Sequence, residues 1–210
     1  MPNAATPPRA TLTALFTAAA PKLRAMLTAM LLVLAATAAR AQTPRYHGDG
    51  IDDYLRFVPL ASAFALKASG VESASSWRRL TVNTAVGMGL TCGVTLALKH
   101  TVHDTRPDRT DNRAFPSGHT AIAFAGARIL DKEFRHTSPW ISVAGYAVAT
   151  ATAIDRVRRN RHRWDDVACG AAVGLLSTEA AYWLGDKLTG ERSRWHVAAD
   201  GQTLSLVVEL

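Results

Sequence analysis

The residues best suited to do chemistry begin at Lys99 and end at His119. Lys99 and Arg106 supply fixed positive charge, and the planar guanidinium of Arg106 suits the oxygens of an oxyanion. Ser117 and Gly118 stand where a helix is expected to start, so they offer a hydroxyl and backbone N–H groups at its positive end. His119 can transfer a proton near neutral pH. The stretch predicts an anion site with an acid–base group beside it.

A further cluster lies downstream, where Arg156 is followed by His162 and Asp166. His162 and Asp166 are four positions apart, so they share one face if a helix has begun by then. A carboxylate bonded to one imidazole nitrogen fixes the tautomer and leaves the other nitrogen free for nucleophilic attack. The pattern therefore predicts a histidine nucleophile with an orienting carboxylate.

Together the clusters resemble the three-part signature of the type 2 phosphatidic acid phosphatase superfamily: K-x6-R-P, then P-S-G-H, then S-R-x5-H-x3-D. The superfamily also contains bacterial non-specific acid phosphatases and vanadium-dependent haloperoxidases. The match runs from Lys99 to Asp166 with order and spacing intact. One position departs from the pattern, because Asp155 stands where the family has Ser.

The resemblance implies a role for each matching residue. His162 would attack phosphorus, Asp166 would orient His162, and His119 would protonate the leaving oxygen. A phosphohistidine intermediate follows from this assignment, with neither metal nor cofactor required. The residues expected to bind the substrate phosphate are Lys99, Arg106, Ser117, Gly118 and Arg156. Each of these residues has an ordinary structural explanation when it is taken alone, and their joint spacing is what favours a site.

Asp155 is the residue that most needs an explanation, because a carboxylate beside Arg156 would repel a bound phosphate. We expect it to face away from the pocket and to pair with Arg158 or Arg159. The arginines of this turn either form a solvated surface or attract an anionic substrate or membrane surface; they are Arg158, Arg159, Arg161 and Arg163.

The pattern of apolar residues predicts an all-α fold, an antiparallel bundle of about five to six helices with the catalytic motifs at one end. The expected helices cover 54–67 (with a start or kink at Pro59), 80–98, 117–134, 139–155 and 165–188. Gly87, Gly89 and Gly93 suggest close approach between helices. Because consecutive helices alternate in direction, all three clusters should meet at the same end of the bundle.

The chain divides into four expected parts. Residues 1–41 read as a signal peptide, with an apolar run from Met26 to Ala39 and a small-x-small pattern at Ala39–Ala41. Residues 42–53 are expected to form an exposed lead-in, 54–190 the helical phosphatase domain, and 191–210 a tail. Asp200 and Gly201, between alternating apolar residues, predict a short β-hairpin there.

The charge of the chain argues against nucleic acid as a partner. The whole sequence has 24 basic and 17 acidic residues, giving +7. Residues 1–41 hold four of the basic residues and no acids, so the rest carries 20 against 17, or only +3. No basic face with interleaved aromatic residues accompanies this small excess.

The sequence supports both a membrane and a soluble interpretation. Residues 80–98 are uncharged and long enough to cross a bilayer. Charged residues expected within helices oppose this, since each would cost about 2.5–3.5 kcal/mol at the bilayer centre; they are Arg128, Asp131, Lys132 and Glu179. The first three lie near a helix end and could reach the interface, and Glu179 could face the bundle interior.

We favour an enzyme of the bacterial inner membrane with its site facing the periplasm. Its substrate would be a phosphorylated lipid, with phosphatidic acid-like lipids, polyprenyl pyrophosphate and lipid A as the candidates. The alternative is a soluble periplasmic non-specific acid phosphatase that acts on small phosphomonoesters. A vanadium-dependent haloperoxidase and a catalytically silent membrane protein are further alternatives, and the short chain argues against the former.

Overall fold

The computed structural model describes residues 50–190 and the backbone of residues 195–200 and 203–208, all within the unit Arg45–Leu210. Between residues 50 and 190 the chain forms six helices and no strand, which confirms the expected all-α bundle. The helices are α1 (Asp52–Leu55), α2 (Val58–Ala68), α3 (Trp77–Thr101), α4 (Gly118–Phe134), α5 (Pro139–Arg158) and α6 (Trp164–Thr189).

Helix ends lie close to where local sequence signals place them. Ser76 caps α3, and its Oγ accepts a 3.1 Å hydrogen bond from the Arg79 N–H. Pro139 is at the start of α5, where the missing N–H of proline has no intrahelical partner to lose. Gly190 ends α6 with φ of 70°, a left-handed conformation that glycine adopts without strain.

Helix α4 is central, because it packs against α6, α5, α2 and α3, while α6 also packs against α3. The contact between α4 and α6 depends on small residues. A Cβ added at Gly170 would lie 2.5 Å from the Ser117 carbonyl oxygen. Gly170 therefore lets the start of α4 approach α6, which brings two of the motifs together.

The structure refines three sequence expectations. The predicted helix 54–67 is divided where a start or kink at Pro59 was expected, since α1 ends at Leu55 and α2 begins at Val58 with Pro59 in its first turn. Of the α3 glycines, only Gly87 meets another helix, its added Cβ lying 3.3 Å from Ala181 Cβ. Nothing lies within 4 Å of a Cβ added at Gly89 or Gly93, so both lie on an open face.

The third revision concerns the lead-in, which was expected to be exposed. Asp52 belongs to α1 and is 0% exposed. Two arginines pair with its carboxylate, and this ion pairing is the physical reason that a charged residue is buried here. The rest of the lead-in up to residue 49, and the expected signal peptide 1–41, lie outside the described residues.

Two strands follow the bundle. The backbones of β1 (Trp195–Asp200) and β2 (Thr203–Val208) pair antiparallel, with Asp200 opposite Thr203 and Trp195 opposite Val208. Residues 201 and 202 lie outside the described residues, so the turn expected at Asp200 and Gly201 remains a prediction.

A buried polar cluster lies at the end of the bundle where α3 begins and α6 ends. Arg79 Nε donates to Asp186 Oδ1 at 2.7 Å, which ties the start of α3 to the end of α6. Ser75 Oγ and Tyr182 Oη donate to Glu133 Oε1 at 2.6 and 2.7 Å. The cluster joins α3, α4 and α6 at this end.

Helices α3 and α6 are long and apolar enough to cross a membrane, judged by length and composition. The charges that seemed to oppose insertion are paired with one another. Glu179 of α6 accepts from Arg128 Nε at 2.5 Å and lies 2.8 Å from Lys132 Nζ. Arg128 also contacts Asp131 at 2.5 Å. Glu179 is 43% exposed, so it does not point into the bundle interior but joins a surface ion-pair group with α4.

Candidate active site

All three motifs meet at one end of the bundle, as the alternation of helix directions predicts. Lys99 is in the last turn of α3, and Ser117 occupies the residue position just before α4 begins. Arg156 is in the last turn of α5, and Asp166 is in the first turn of α6. The Ser117 N–H donates a 3.0 Å hydrogen bond to the Asp166 carbonyl oxygen, which joins the second motif directly to the third.

Arg106 connects the loop between α3 and α4 to the predicted nucleophile. Its Nε donates to Asp111 Oδ2 at 2.7 Å, which fixes the guanidinium within its own loop. Its NH1 donates to the Arg161 carbonyl oxygen at 3.2 Å and lies 3.3 Å from His162 Nε2. Arg106 therefore places fixed positive charge beside the nitrogen expected to attack phosphorus.

Lys99 and Ser117 are held by the surrounding backbone and side chains. Lys99 Nζ donates to the Arg113 carbonyl oxygen at 2.7 Å. Ser117 is buried, and its hydroxyl does not cap α4 but accepts a 3.0 Å hydrogen bond from Thr120 Oγ1. Because Thr120 occupies an acceptor lone pair, the Ser117 hydroxyl keeps its own proton to donate to a bound anion.

Arg156 and His162 are brought together by the turn that ends α5. The N–H groups of Arg161 and His162 donate to the Arg156 carbonyl oxygen at 3.0 and 3.3 Å. Asn160, inside this turn, has φ of 54°, a conformation that asparagine tolerates better than most residues. The turn therefore sets His162 close to Arg156 before α6 begins.

His162 is 2% exposed and lies against Asp166, with 3.5 Å between His162 Nδ1 and Asp166 Oδ2. That is longer than a hydrogen bond, and Oδ2 instead accepts the Arg163 N–H at 2.8 Å. Within the described residues, His162 Nδ1 and Asp166 Oδ1 are both buried without a hydrogen-bond partner.

The surroundings of His162 keep its ring neutral. Burial, followed by the positive charges of Arg156, Arg106 and Lys99, lowers the pKa of His162 to about 2. A neutral imidazole with Nδ1 facing a carboxylate carries its lone pair on Nε2. That nitrogen faces the cationic group, where an anionic substrate would bind.

Arg156 has a partner that motif reasoning did not find. Its NH1 donates a 2.6 Å hydrogen bond to Asp52 Oδ2, and Arg159 NH1 donates to Asp52 Oδ1 at 2.6 Å. Burial alone would raise the pKa of Asp52, but Arg156, His119 and Arg159 outweigh it and the pKa is lowered. Asp52 is therefore an ionised, buried anchor for Arg156.

His119 also contacts α1. Its Nε2 lies 2.6 Å from Asp53 Oδ1, 3.6 Å from Asp52 Oδ2 and 2.8 Å from Arg56 NH1. Burial, Arg156 and Arg56 lower the pKa of His119, whereas its contacts with the two carboxylates raise it, and the result is about 4. The predicted acid–base residue is thus surrounded by charges from a segment outside the motifs.

Asp155 lies beside Asp52, which differs from the expected pairing. Burial, then a hydrogen bond and the charge of the Asp52 carboxyl, raise the pKa of Asp155. The charges of Arg159 and Arg158 lower that pKa but do not outweigh the first causes. Asp155 therefore lies next to the Asp52 carboxylate that binds Arg156.

The other arginines of this turn also contact carboxylates. Arg161 NH1 lies 2.8 Å from Asp108 Oδ2, and Arg163 NH2 lies 2.5 Å from Asp104 Oδ2. These pairs tie the turn to the loop between α3 and α4. They favour a structural role for Arg161 and Arg163 over that of a purely solvated surface.

Asp52, Asp53 and His119 each place one potential ligand atom within 4.8 Å of the others, a spacing at which three groups could share a metal ion. Cations of the protein already hold them, however. Arg156 and Arg159 bind Asp52, and Arg56 contacts His119. A metal ion would have to compete with these guanidinium groups for the same oxygen and nitrogen atoms. In this structure the three residues are instead partners of arginines or of one another.

This end of the helical bundle thus brings together histidines, arginines and a lysine, groups that are suited to hold an oxyanion. The family model described as PAP2 superfamily matches residues 80–189, which is more than half of the 210 residues. The chain belongs to the PAP2 superfamily, as its three motifs predict.

Two curated relatives and one solved structure are similar to the chain. Lipid A 1-phosphatase of Porphyromonas gingivalis is 41% identical over 165 residues, covering 76% of this chain and 37% of that protein. Probable diacylglycerol pyrophosphate phosphatase 1 of Schizosaccharomyces pombe is 33% identical over 81 residues, 33% of this chain and 29% of that protein. The chain thus spans only about a third of the length of these relatives.

The solved structure is the crystal structure of Aquifex aeolicus LpxE. It is 21% identical, with a TM-score of 0.47, and the match covers 80% of this chain and 92% of that one.

Proposed function

We propose that this protein is a metal-independent phosphatase that removes phosphate from a lipid through a phosphohistidine intermediate. The observation that carries the proposal is His162, a buried neutral imidazole between Asp166 on its Nδ1 side and Arg106 on its Nε2 side. A neutral histidine among fixed cations is suited to attack an anionic phosphorus centre.

In the first step the Nε2 lone pair of His162 forms a bond to phosphorus, and the bond between phosphorus and the ester oxygen breaks. The free site keeps His119 neutral above about pH 4, and the negative charge of a bound phosphate favours its protonated form. That form transfers its proton to the leaving oxygen, so the alcohol departs neutral. Asp166 stabilises the positive charge that develops on the His162 ring. The equatorial oxygens are held where charge accumulates; the residues proposed to hold them are Lys99, Arg106, Ser117, Gly118 and Arg156.

In the second step His119, now neutral, takes a proton from a water molecule. The water oxygen attacks phosphorus, the bond between phosphorus and His162 Nε2 breaks, and inorganic phosphate leaves. His119 and His162 return to their starting protonation states when phosphate departs. Arg156 Nε is buried and lacks a hydrogen-bond partner among the described residues, so a phosphate oxygen bound beside it would satisfy this donor.

A lipid substrate is supported by the outer surface of α3 and α6 and by the relative named lipid A 1-phosphatase. Large apolar side chains are exposed along these two helices, where a lipid environment would cover them; they include Val94, Leu96, Leu176, Trp183 and Leu188. We propose an inner-membrane location with the site facing the periplasm and lipid A-like phosphate as the substrate, with phosphatidic acid-like lipid and polyprenyl pyrophosphate as competitors.

A soluble periplasmic acid phosphatase is the second candidate, and the exposed ion-pair group of Glu179, Arg128 and Lys132 favours it. Cell fractionation separates the two. A membrane protein stays in the pellet at high salt and is released by detergent. A protein that appears in the soluble periplasmic fraction without detergent would contradict the membrane proposal.

Phosphate release from lipid A, phosphatidic acid and polyprenyl pyrophosphate in detergent micelles, compared with a water-soluble phosphomonoester, tests the activity. We expect the lipid phosphates to be preferred, activity to survive EDTA, and vanadate to inhibit by adopting the trigonal-bipyramidal geometry of the transition state. The matched control is His162→Ala, which should release no phosphate. Loss of activity with EDTA and recovery with a divalent metal would overturn the metal-independent mechanism.

A further inference from the structure

The residues of α1 lie before the three motifs and before the stretch matched by the family model, yet they contact the site. Asp53 is held at both carboxylate oxygens. Its Oδ2 accepts the Gly50 N–H at 2.9 Å, and its Oδ1 lies 2.6 Å from His119 Nε2. Because the first contact is to backbone, the carboxylate cannot rotate away from His119 without losing a hydrogen bond.

This contact distinguishes the two nitrogens of His119. Among residues 50–190, the close polar contacts of the His119 ring are both at Nε2, which lies 2.6 Å from Asp53 Oδ1 and 2.8 Å from Arg56 NH1. A guanidinium can only donate and a carboxylate can only accept, so Nε2 can hydrogen-bond to only one of the two. A carboxylate at 2.6 Å requires a proton between the two atoms, so Nε2 carries the N–H that donates to Asp53. Nδ1 is then the nitrogen that can exchange a proton with the substrate, and Asp53 determines which nitrogen it is.

The charges around His119 otherwise oppose its protonation. Arg56 from the segment after α1 and Arg156 from α5 face the ring, and His162 lies across the site. Asp52 and Asp53 of α1 supply the negative charge on the other side. Asp52 is already bound to two arginines, whereas Asp53 gives its shortest contact to His119. Asp53 is thus the carboxylate best placed to stabilise a protonated ring.

We propose that Asp53 is a positioning residue for His119, orienting the ring and stabilising its protonated form for transfer of a proton to the leaving oxygen. The proposal rests on the proposed function and deepens it. Asp53 itself touches neither substrate nor reacting atoms, and all of its effect passes through His119. Asp53 would act as the aspartate of a Ser–His–Asp triad does, by holding one tautomer of the imidazole and stabilising the imidazolium.

The first test uses leaving groups. A general acid matters most when the departing oxygen is strongly basic, so kcat/KM should be measured with an alkyl phosphate and an aryl phosphate. Asp53→Asn should lower kcat/KM for the alkyl phosphate about 10- to 100-fold, part of the usual contribution of a general acid. It should change the aryl phosphate value less than about threefold. The control is Asp165→Asn, a change of the same type on a 64% exposed side chain at this end of the bundle.

The double variant Asp53→Asn with His119→Ala checks that the effect passes through the ring. If Asp53 acts through His119, its replacement should have no further effect on kcat/KM once the ring is gone. An equal loss for both substrates in Asp53→Asn, no loss at all, or a further tenfold loss in the double variant would overturn the proposal.

The second test does not depend on activity. NMR titration of the histidine ring protons in the full chain, with His119 assigned from His119→Ala, measures the His119 midpoint directly. Loss of the Asp53 charge should lower that midpoint by about one pH unit, while Asp165→Asn should leave it in place. An unchanged midpoint in Asp53→Asn overturns the proposal. A wild-type protein without phosphatase activity would overturn the proposed function instead, and the titration would still decide whether Asp53 and His119 are paired.

Discussion

Asp52 and Arg156 are 104 positions apart in the chain, yet a 2.6 Å hydrogen bond joins Asp52 Oδ2 to Arg156 NH1, and both side chains are buried. The bond fixes one nitrogen of Arg156 and leaves Nε, which has no partner among the described residues. Arg156 is therefore oriented before any anion binds, which reduces the ordering that binding requires.

The first prediction concerns this pair. Asp52→Asn should lower the free energy of unfolding by about 3–5 kcal/mol, because it leaves two guanidinium groups facing a neutral amide in a buried site. Chemical denaturation of Asp52→Asn, the wild type and Asp165→Asn measures the effect. If Asp52→Asn were no less stable than Asp165→Asn, a change at an exposed side chain, the ion pair between Asp52 and Arg156 would contribute nothing to the stability of the fold.

The second prediction concerns the nucleophile. His162→Ala should abolish turnover, since it removes the attacking nitrogen, whereas Asp166→Asn should retain a small fraction because it removes only the orienting partner. Rapid acid-free quenching with radiolabelled substrate should trap acid-labile, base-stable phosphate on the wild type. Label that persists on His162→Ala would show that another residue attacks phosphorus.

The third prediction concerns stability and pH. The pKa of His162 is lowered to about 2 and that of His119 to about 4, both below the ordinary value of 6.5. Below about pH 6.5 the unfolded chain binds protons that the folded chain does not, so stability should fall as pH decreases from 6.5 towards 4. The lowered pKa of Asp52 affects stability only below about pH 3.8, the ordinary pKa of an aspartate, and therefore not between pH 6.5 and pH 4.

The dependence of stability on pH is measured from thermal unfolding midpoints between pH 7 and pH 4.5. His162→Gln should make the dependence shallower, because it removes one of the histidines whose pKa folding lowers; the others are His119 and His136. His103→Gln, a change at an exposed histidine of the loop before α4, is the matched control. Equal slopes for His162→Gln and the wild type would contradict the assigned ionisation of His162.

The fourth prediction concerns Asp155. Its pKa is raised by burial and by Asp52, so the ionised form at pH 7 destabilises the folded state relative to the unfolded one. Asp155→Ser should raise the unfolding midpoint at pH 7, and the gain should shrink below pH 3.8, where the carboxyl is neutral in both states.

The same variant tests whether Asp155 reaches the substrate. Because its carboxyl adjoins Asp52, KM should change little and should respond to salt as the wild type does. A marked, salt-sensitive fall in KM for Asp155→Ser would place the carboxylate in the phosphate pocket. Asp165→Ser controls for loss of a carboxylate at this end of the bundle.

The bundle and the convergence of the motifs were predictable, because both depend on local signals. Ser76 as a cap, Pro139 as a helix start and Gly190 as a helix end each act within one turn of the chain. The convergence of Lys99 and Asp166 requires only that successive helices alternate in direction.

The contribution of α1 was not predictable in the same way. Two adjacent aspartates before a helix usually serve its first turn, and the polar residues around them suggest an exposed segment. Their partners, Arg156 and His119, lie 104 and 66 positions further along the chain. A pairing over such separations is set by tertiary packing, and no local signal in the sequence points to it.

The polar cluster at the start of α3 has a consequence for where the site would stand in a bilayer. Arg79 and Lys99 are 20 residues apart on one continuous helix, which is about 30 Å of rise. That length equals the hydrocarbon thickness of a typical membrane, about 30 Å. With Arg79 at one headgroup level, Lys99 would lie at the other. A lipid could then bind the site laterally from the membrane, with its phosphate at the headgroup level and its acyl chains still in the leaflet.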